Sequence, residues 1–232
     1  MSDLSAFPIT ARWPARDPSV VQLYSYPTPN GVKVSIALEE MGIPYEPHLV
    51  TLSDADVKSD AFLSLNPNNK IPAIIDPDGP DGAPIGLWES GAILLYLADK
   101  SGKLGGTSAS EKAQITKWLM FQMGGLGPMF GQMGYFYKFA GKDIEDPRPV
   151  TRYLDEAKRL LAVVEKQLDG QDWIAGDFSI ADIAIAPWLN ALEFYGVKDD
   201  VGYHSLKNVP AYVERFYARP AVVRGKAIPA TS

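Results

Sequence analysis

The sequence predicts a small mixed α/β domain followed by an all-helical domain. Residues 20 to 100 alternate between short strand-forming runs and stretches with helical periodicity, and strand signals vanish beyond Lys103. Between the two parts, residues 101 to 109 are rich in glycine and serine and read as a linker.

Val20-Val21-Gln22-Leu23-Tyr24 reads as the first strand. It runs into Tyr26-Pro27-Thr28-Pro29-Asn30, where neither proline can donate to a ladder, so the strand must end there. After Asn30 the apolar residues Val34, Leu38 and Met41 recur at helical spacing, and Gly42 is placed to stop the helix. Residues 45–50 form a second strand, at an edge because of Pro47, and 61–65 a short helix. Ile71-Pro72-Ala73-Ile74-Ile75 is a third strand. A Gly/Pro/Asp-rich turn over 76–84 then leads into a fourth, Ile85-Gly86-Leu87-Trp88. Ser90 opens a helix through Lys100, with Gly102 as its stop. The predicted order is β-α-β-α-β-β-α.

In the second part, residues 111–122, 150–168, 180–195 and 209–218 fit helical periodicity. Ahead of the third of these, Ser179 and Asp182 have the spacing of a capping box, with Phe178 and Ile183 as a hydrophobic staple. That assigns Asp182 a structural role rather than a catalytic one. The expected domain boundaries are an N-terminal arm over 1–19, the α/β domain over 20–101 and the helical domain over 110–232. In the arm, Asp3, Arg12, Arg16 and Asp17 interrupt any continuous apolar core, so it does not read as a signal peptide.

Composition removes several function classes. The 232 residues are 46% hydrophobic and 22% charged, a balance that supports one large or two small globular domains. No apolar run approaches the ~18 residues of a membrane span, so no membrane partner and a cytoplasmic location are expected. The net charge of −6 comes without the basic stripe that nucleic-acid binding needs. The chain has no cysteine, which excludes disulfides, thiolate metal sites and cysteine nucleophiles. Its two histidines, His48 and His204, lack metal-ligand spacing, so no metal site is expected.

Three places in the first domain could bind one kind of ligand. At the turn after the first strand, a helix N-terminus offers unpaired N–H donors, and Thr28 and Asn30 add a hydroxyl and an amide. Asn30 could equally be a plain helix cap. At Asn66-Pro67-Asn68-Asn69-Lys70-Ile71-Pro72, a proline starting a strand after an Asn-rich turn is a candidate cis peptide that would turn the backbone of Ile71 toward an extended peptide. An ordinary trans proline is the alternative. At Trp88-Glu89-Ser90-Gly91, a strand again runs into a helix N-terminus: Ser90 can bind a carboxylate and Glu89 an ammonium, which suits an α-amino acid head group. Ser90 could also simply cap its helix.

Taken in order, strand–TPNG–helix, NPNNKIPAI, WESGAILLYLADK and FSIADIAIAPW resemble the cytosolic glutathione transferases over nearly the whole chain. The segment from Gly124 to Gln132 and the aromatic Tyr135-Phe136-Tyr137 resemble the bacterial nu class and its fungal nitrogen-regulator relatives. The resemblance implies a thioredoxin-like first domain with a mixed four-stranded sheet, a helical-bundle second domain, and a homodimer. It implies glutathione as cosubstrate: Glu89 and Ser90 on the γ-glutamyl head, Ile71 on the cysteinyl backbone across a cis Pro72, and Thr28 and Asn30 facing the thiol. The glycyl carboxylate would fall to Lys70 or to Arg152, which matches a family arginine. The second substrate would be a small disulfide, peroxide or electrophile, against Tyr26, Met129, Phe130, Tyr135, Phe136 and Tyr137. In many transferases a Tyr, Ser or Cys on this loop lowers the thiol pKa. Aligned on Pro29, the serine and cysteine positions hold Pro27 and Asn30. The nu class is similar here, which implies glutathione-dependent disulfide reduction; the alternative is a glutathione-binding regulatory protein without turnover.

Overall fold

The computed structural model describes residues 4–231. The chain forms two compact units. One holds the chain up to Lys103 together with the segment from Pro220, and the other is Leu104–Arg219.

In the first unit, Val21–Ser25 (β1), Tyr45–Leu49 (β2), Ala73–Asp76 (β3) and Ile85–Trp88 (β4) form one sheet in the order β2-β1-β3-β4. β1 lies parallel to β2 and antiparallel to β3, which is antiparallel to β4. β1 and β3 are buried at every position, with Gln22, Ser25 and Asp76 as buried polar residues among the apolar ones. β2 is an edge strand, where Pro47 removes no interior ladder bond. Gly31–Met41 (α1) and Ser90–Ser101 (α4) pack against each other, while Asp54–Val57 (α2) and Asp60–Leu63 (α3) fill the connection from β2 to β3. α1 ends on Gly42 in the left-handed region, with φ of 72°, its N–H bonded to the Leu38 carbonyl.

Residues between Leu4 and β1 contribute to this unit's core. Leu4 and Ile9 are buried in a cluster with Tyr24, Phe62, Leu65 and Ile75, against which Phe7, Trp13, Ile71 and Trp88 also pack. Trp13 Nε1 donates to the Leu49 carbonyl at 3.0 Å, and Glu46 accepts from the N–H groups of Arg16 and Asp17 at 2.9 and 2.8 Å. The last residues differ from the expected helical domain over 110–232: Pro220–Gly225 (α10) packs on α1. The Ser35 hydroxyl donates to the Gly225 carbonyl at 2.7 Å, and a Cβ on Gly225 would lie 2.7 Å from the Ile36 backbone. Close approach of two backbones fixes this docking.

The second unit is helical: Ala109–Phe121 (α5), Gly127–Tyr137 (α6), Arg148–Gln167 (α7), Ile180–Tyr195 (α8) and Asn208–Tyr217 (α9). α5 runs into α6 through a π-helical turn, Gln122–Leu126. α6 was not foreseen, because Gly124, Gly125, Gly127 and Pro128 read as breakers. Pro128 is the second residue of α6 and follows directly on the π-helical turn, where the regular ladder is already interrupted. Gly134 admits a ring of α8, since a Cβ there would lie 2.5 Å from Tyr195, and a Cβ at Gly127 would lie 2.3 Å from the Gln122 side chain. The expected capping box at the start of α8 is present. Asp182 is buried and accepts from the N–H groups of Ser179 and Ile174, each at 2.9 Å, and from the Tyr212 hydroxyl at 3.0 Å.

Asp182→Ala leaves those three donors buried without an acceptor, each worth about 1–3 kcal/mol, so a loss of roughly 3–5 kcal/mol is expected. Ser179→Ala removes one weaker cap and should cost about 1 kcal/mol. Urea denaturation of both variants checks the ranking; equal losses would contradict it.

Candidate functional site

Sheet topology gathers three connections at one end. β1 ends at Ser25 beside the start of β3, because Tyr24 pairs with Ala73, and β4 ends there too, because Ala73 pairs with Trp88. The turn of residues 26–30, the Ile71-Pro72 entry to β3 and the Glu89-Ser90 exit from β4 therefore leave the sheet side by side. α1 and α4 both start here, with their N-terminal N–H groups and partial positive charge at the same end.

The helix cap at α1 differs from the expected one. Asn30 is already in the αR region and its side chain makes no cap bond. Thr28 caps instead: its Oγ1 accepts from the Gly31 N–H at 3.2 Å and its carbonyl from the Val32 N–H at 3.0 Å. Pro29 follows as a first-turn residue. Gly31 is required by space, since a Cβ there would lie 1.9 Å from the Tyr26 carbonyl oxygen. The turn is thereby pressed against the helix start.

Freed from capping, Asn30 turns to Lys33. The lysine is fully buried, with Nζ donating to Asn30 Oδ1 at 2.8 Å and to Ser90 Oγ at 3.3 Å. Burial pulls its pKa down to about 7, and the negative charge of Glu89 opposes that shift. Lys33 was missed by sequence reasoning because it sits at a position that periodicity neither marks as core nor as cap. A lysine on the first turn of a helix that follows Asn30 was the available signal.

Ser90 is the first residue of α4, not its cap; the cap position belongs to Glu89, which makes no side-chain cap bond. Glu89 has φ of 70°, an unfavourable region for a side-chain-bearing residue, and the residue is exposed. The Ile71–Pro72 bond is cis, in line with the resemblance. The loop before it is set by Asn66, which is buried and donates through Nδ2 to the Lys70 carbonyl at 2.5 Å while Oδ1 accepts from the Asn68 N–H. Asn69 takes the left-handed conformation this turn needs, with φ of 51°. Ile71 itself lies outside the β1–β3 ladder, and the Lys70 side chain is exposed.

Arg152 lies exposed on α7 of the second unit, where its charge helps to lower the pKa of Glu156. Of the aromatic and methionine residues expected against a second substrate, Phe130 is a core residue with no exposure. Phe136 stacks on Tyr153, the Tyr137 hydroxyl bonds Asp200, and Tyr135 is exposed. A cavity of about 650 Å³ in the first unit lies at the far end of α1, and its cations are already paired, Arg16 with Glu46 and Arg224 with Glu39. Among the described residues no His/Asp/Glu group could hold a metal ion, and no helix is long and apolar enough to cross a membrane.

Comparison with known proteins matches the glutathione S-transferase N-terminal domain over residues 19–99 and the glutathione S-transferase C-terminal domain over 131–220. The chain is 58% identical to a glutathione transferase from Burkholderia graminis whose crystal structure holds two glutathione molecules per subunit, with a TM-score of 0.98 over 100% of this chain and 98% of that one. It is 55% identical to a glutathione transferase from Pseudomonas putida with one glutathione disulfide bound per subunit, at a TM-score of 0.97 over 98% and 100%. It is also 43% identical, over 87% of this chain and 92% of the relative, to the disulfide-bond oxidoreductase YfcG of Escherichia coli.

The lowered pKa of Lys33 makes a pH-dependent statement about stability. Folded, it loses its proton at about 7; unfolded, an ordinary lysine does so at about 10.4. Between those values the unfolded chain holds the extra proton, so this residue's contribution to stability rises with pH, and the cost of the buried ammonium is fully present below the folded pKa. Lys33→Met should therefore be stabilised most, relative to the parent, in mild acid. The advantage should shrink by roughly 1.4 kcal/mol per pH unit as the window is crossed. Urea midpoints of both proteins across the window test this; a gap that stays constant with pH would contradict it.

Proposed function

This chain belongs to the glutathione S-transferase family, and from that premise we propose that it is a glutathione-dependent enzyme that reduces disulfide bonds. The observation that carries the reading is a chain without cysteine whose two helix N-termini, Asn30 amide and buried Lys33 converge at one sheet end. Such a corner favours an anion, and every sulfur of the reaction comes from glutathione or from the substrate.

Glutathione presents an α-amino acid head, a peptide middle and a thiol. Ser90 takes the head carboxylate and Glu89 its ammonium. The backbone of Ile71, ahead of cis Pro72, pairs with the cysteinyl residue, and Lys70 supplies a cation for the glycyl carboxylate. Thr28 and Asn30 face the sulfur. Helix-terminal N–H groups and the Asn30 amide favour the thiolate over the thiol, which raises the fraction of reactive nucleophile at neutral pH. The thiolate attacks one sulfur of a disulfide in line, forming a mixed disulfide and releasing the other sulfur as a thiolate, which takes up a proton. A second glutathione thiolate attacks the mixed disulfide, giving glutathione disulfide and the second substrate thiolate, which takes up a proton. Relatives with two glutathiones, or one glutathione disulfide, per subunit support a site able to hold both sulfurs. Family membership also supports a cytoplasmic homodimer.

The Glu89→Gln, Ser90→Ala double variant should lose glutathione affinity by about tenfold or more, since each group faces a charge on the head. Calorimetric titration reads the loss, and unchanged affinity would refute the placement. Turnover of a small dialkyl disulfide with glutathione should exceed that of an aryl chloride. Glutathione binding without turnover of either substrate would instead favour the regulatory alternative.

A further inference from the structure

The donors at this corner have a direction, and Lys33 sets it. An ammonium offers N–H donors and no acceptor. It lies 2.8 Å from Asn30 Oδ1 and 3.3 Å from Ser90 Oγ, and it is buried away from solvent. An amide carries its oxygen and its NH2 on opposite sides of one carbon, so tying Oδ1 to the cation turns the NH2 of Asn30 the other way. A serine oxygen that accepts from the cation must likewise send its own hydrogen elsewhere.

We propose that Lys33 is a positioning residue: by holding Asn30 Oδ1 and Ser90 Oγ as acceptors, it presents the Asn30 amide and the Ser90 hydroxyl as donors to the two anions of one ligand, the thiolate and the α-carboxylate of a γ-glutamyl thiol peptide. The inference rests on the glutathione reading and adds a coupling to it. One cation orients both ends of the ligand site, so the head-group subsite and the sulfur subsite are formed together. With an apolar side chain at 33, the Asn30 amide is free to turn its oxygen to the sulfur, and a carbonyl oxygen against a thiolate is repulsive. Glu89 is the negative charge that acts on Lys33, and its place beside the head-group ammonium puts it on the same ligand.

The test is a double-variant cycle read on the thiol pKa of bound glutathione, from thiolate ultraviolet absorbance, and on binding of S-methylglutathione, which has no thiol. Lys33→Met should raise the bound thiol pKa by about one unit or more, and weaken S-methylglutathione by about tenfold. In an Asn30→Ala background the Lys33→Met effect on the thiol should fall below half, because the group it acts through is gone. An undiminished effect in that background would mean that Lys33 acts by charge alone, and would overturn the orienting role. Asn30→Asp keeps an acceptor for Lys33 and removes the NH2, so it serves where Lys33→Met does not fold: it should raise the thiol pKa at least as much as Asn30→Ala, and an unchanged pKa overturns the proposal. A parent protein that binds no glutathione overturns the function reading and the inference together. A parent that binds it, with a Lys33→Met variant that keeps the same thiol pKa, overturns the inference alone.

Discussion

A single buried ammonium sits where the two helix starts of the first unit meet, and the remainder of the candidate site is arranged around it. Desolvating Lys33 is costly, as its pKa near 7 records. The cost is offset by two oxygen acceptors, Asn30 Oδ1 and Ser90 Oγ, and by the field of Glu89. Those three residues belong to two different connections, one after β1 and one after β4. Their convergence depends on the strand order, which brings the ends of β1 and β4 to opposite sides of the start of β3. The cation thus ties sheet topology to local chemistry.

Unfavourable backbone geometry collects at the same sheet end. Glu89 and Asn69 both hold positive φ although neither is glycine, and each lies within three residues of a proposed ligand contact. A side chain held in this region costs on the order of 1 kcal/mol or more and persists only where its surroundings over-determine it. For Asn69 those surroundings are the buried Asn66, whose amide spans the turn from Asn68 to Lys70. For the turn into α1 they are Gly31, which alone tolerates the Tyr26 carbonyl so close. Stability is given up at this end and supplied by the cluster of Ile9, Tyr24, Phe62 and Ile75 beneath it.

The sequence was most informative where one physical rule dominated. Pro47 marked an edge strand, and Ser179 with Asp182 declared a helix start. It was least informative where two rules competed. Gly124, Gly127 and Pro128 signal a break, yet the glycines of α6 are spaces for Tyr195 and its neighbours, and tertiary packing outweighs propensity. Thr28 and Asn30 both suit a cap, and the choice between them turns on Lys33, whose burial no periodicity reveals. The fate of the last residues was hidden for a similar reason. Gly225 docks by backbone contact with Ile36, which leaves no pattern in the side chains.

The most direct measurement is of the Lys33 ammonium itself, by a carbon-13 NMR titration of the lysine Cε resonance, assigned with Lys33→Met. A midpoint near 7 is expected in the free protein, moved upward when glutathione brings its carboxylate and thiolate to the site. A midpoint at the ordinary lysine value of about 10.4, unmoved by glutathione, would mean a solvated side chain and no central cation.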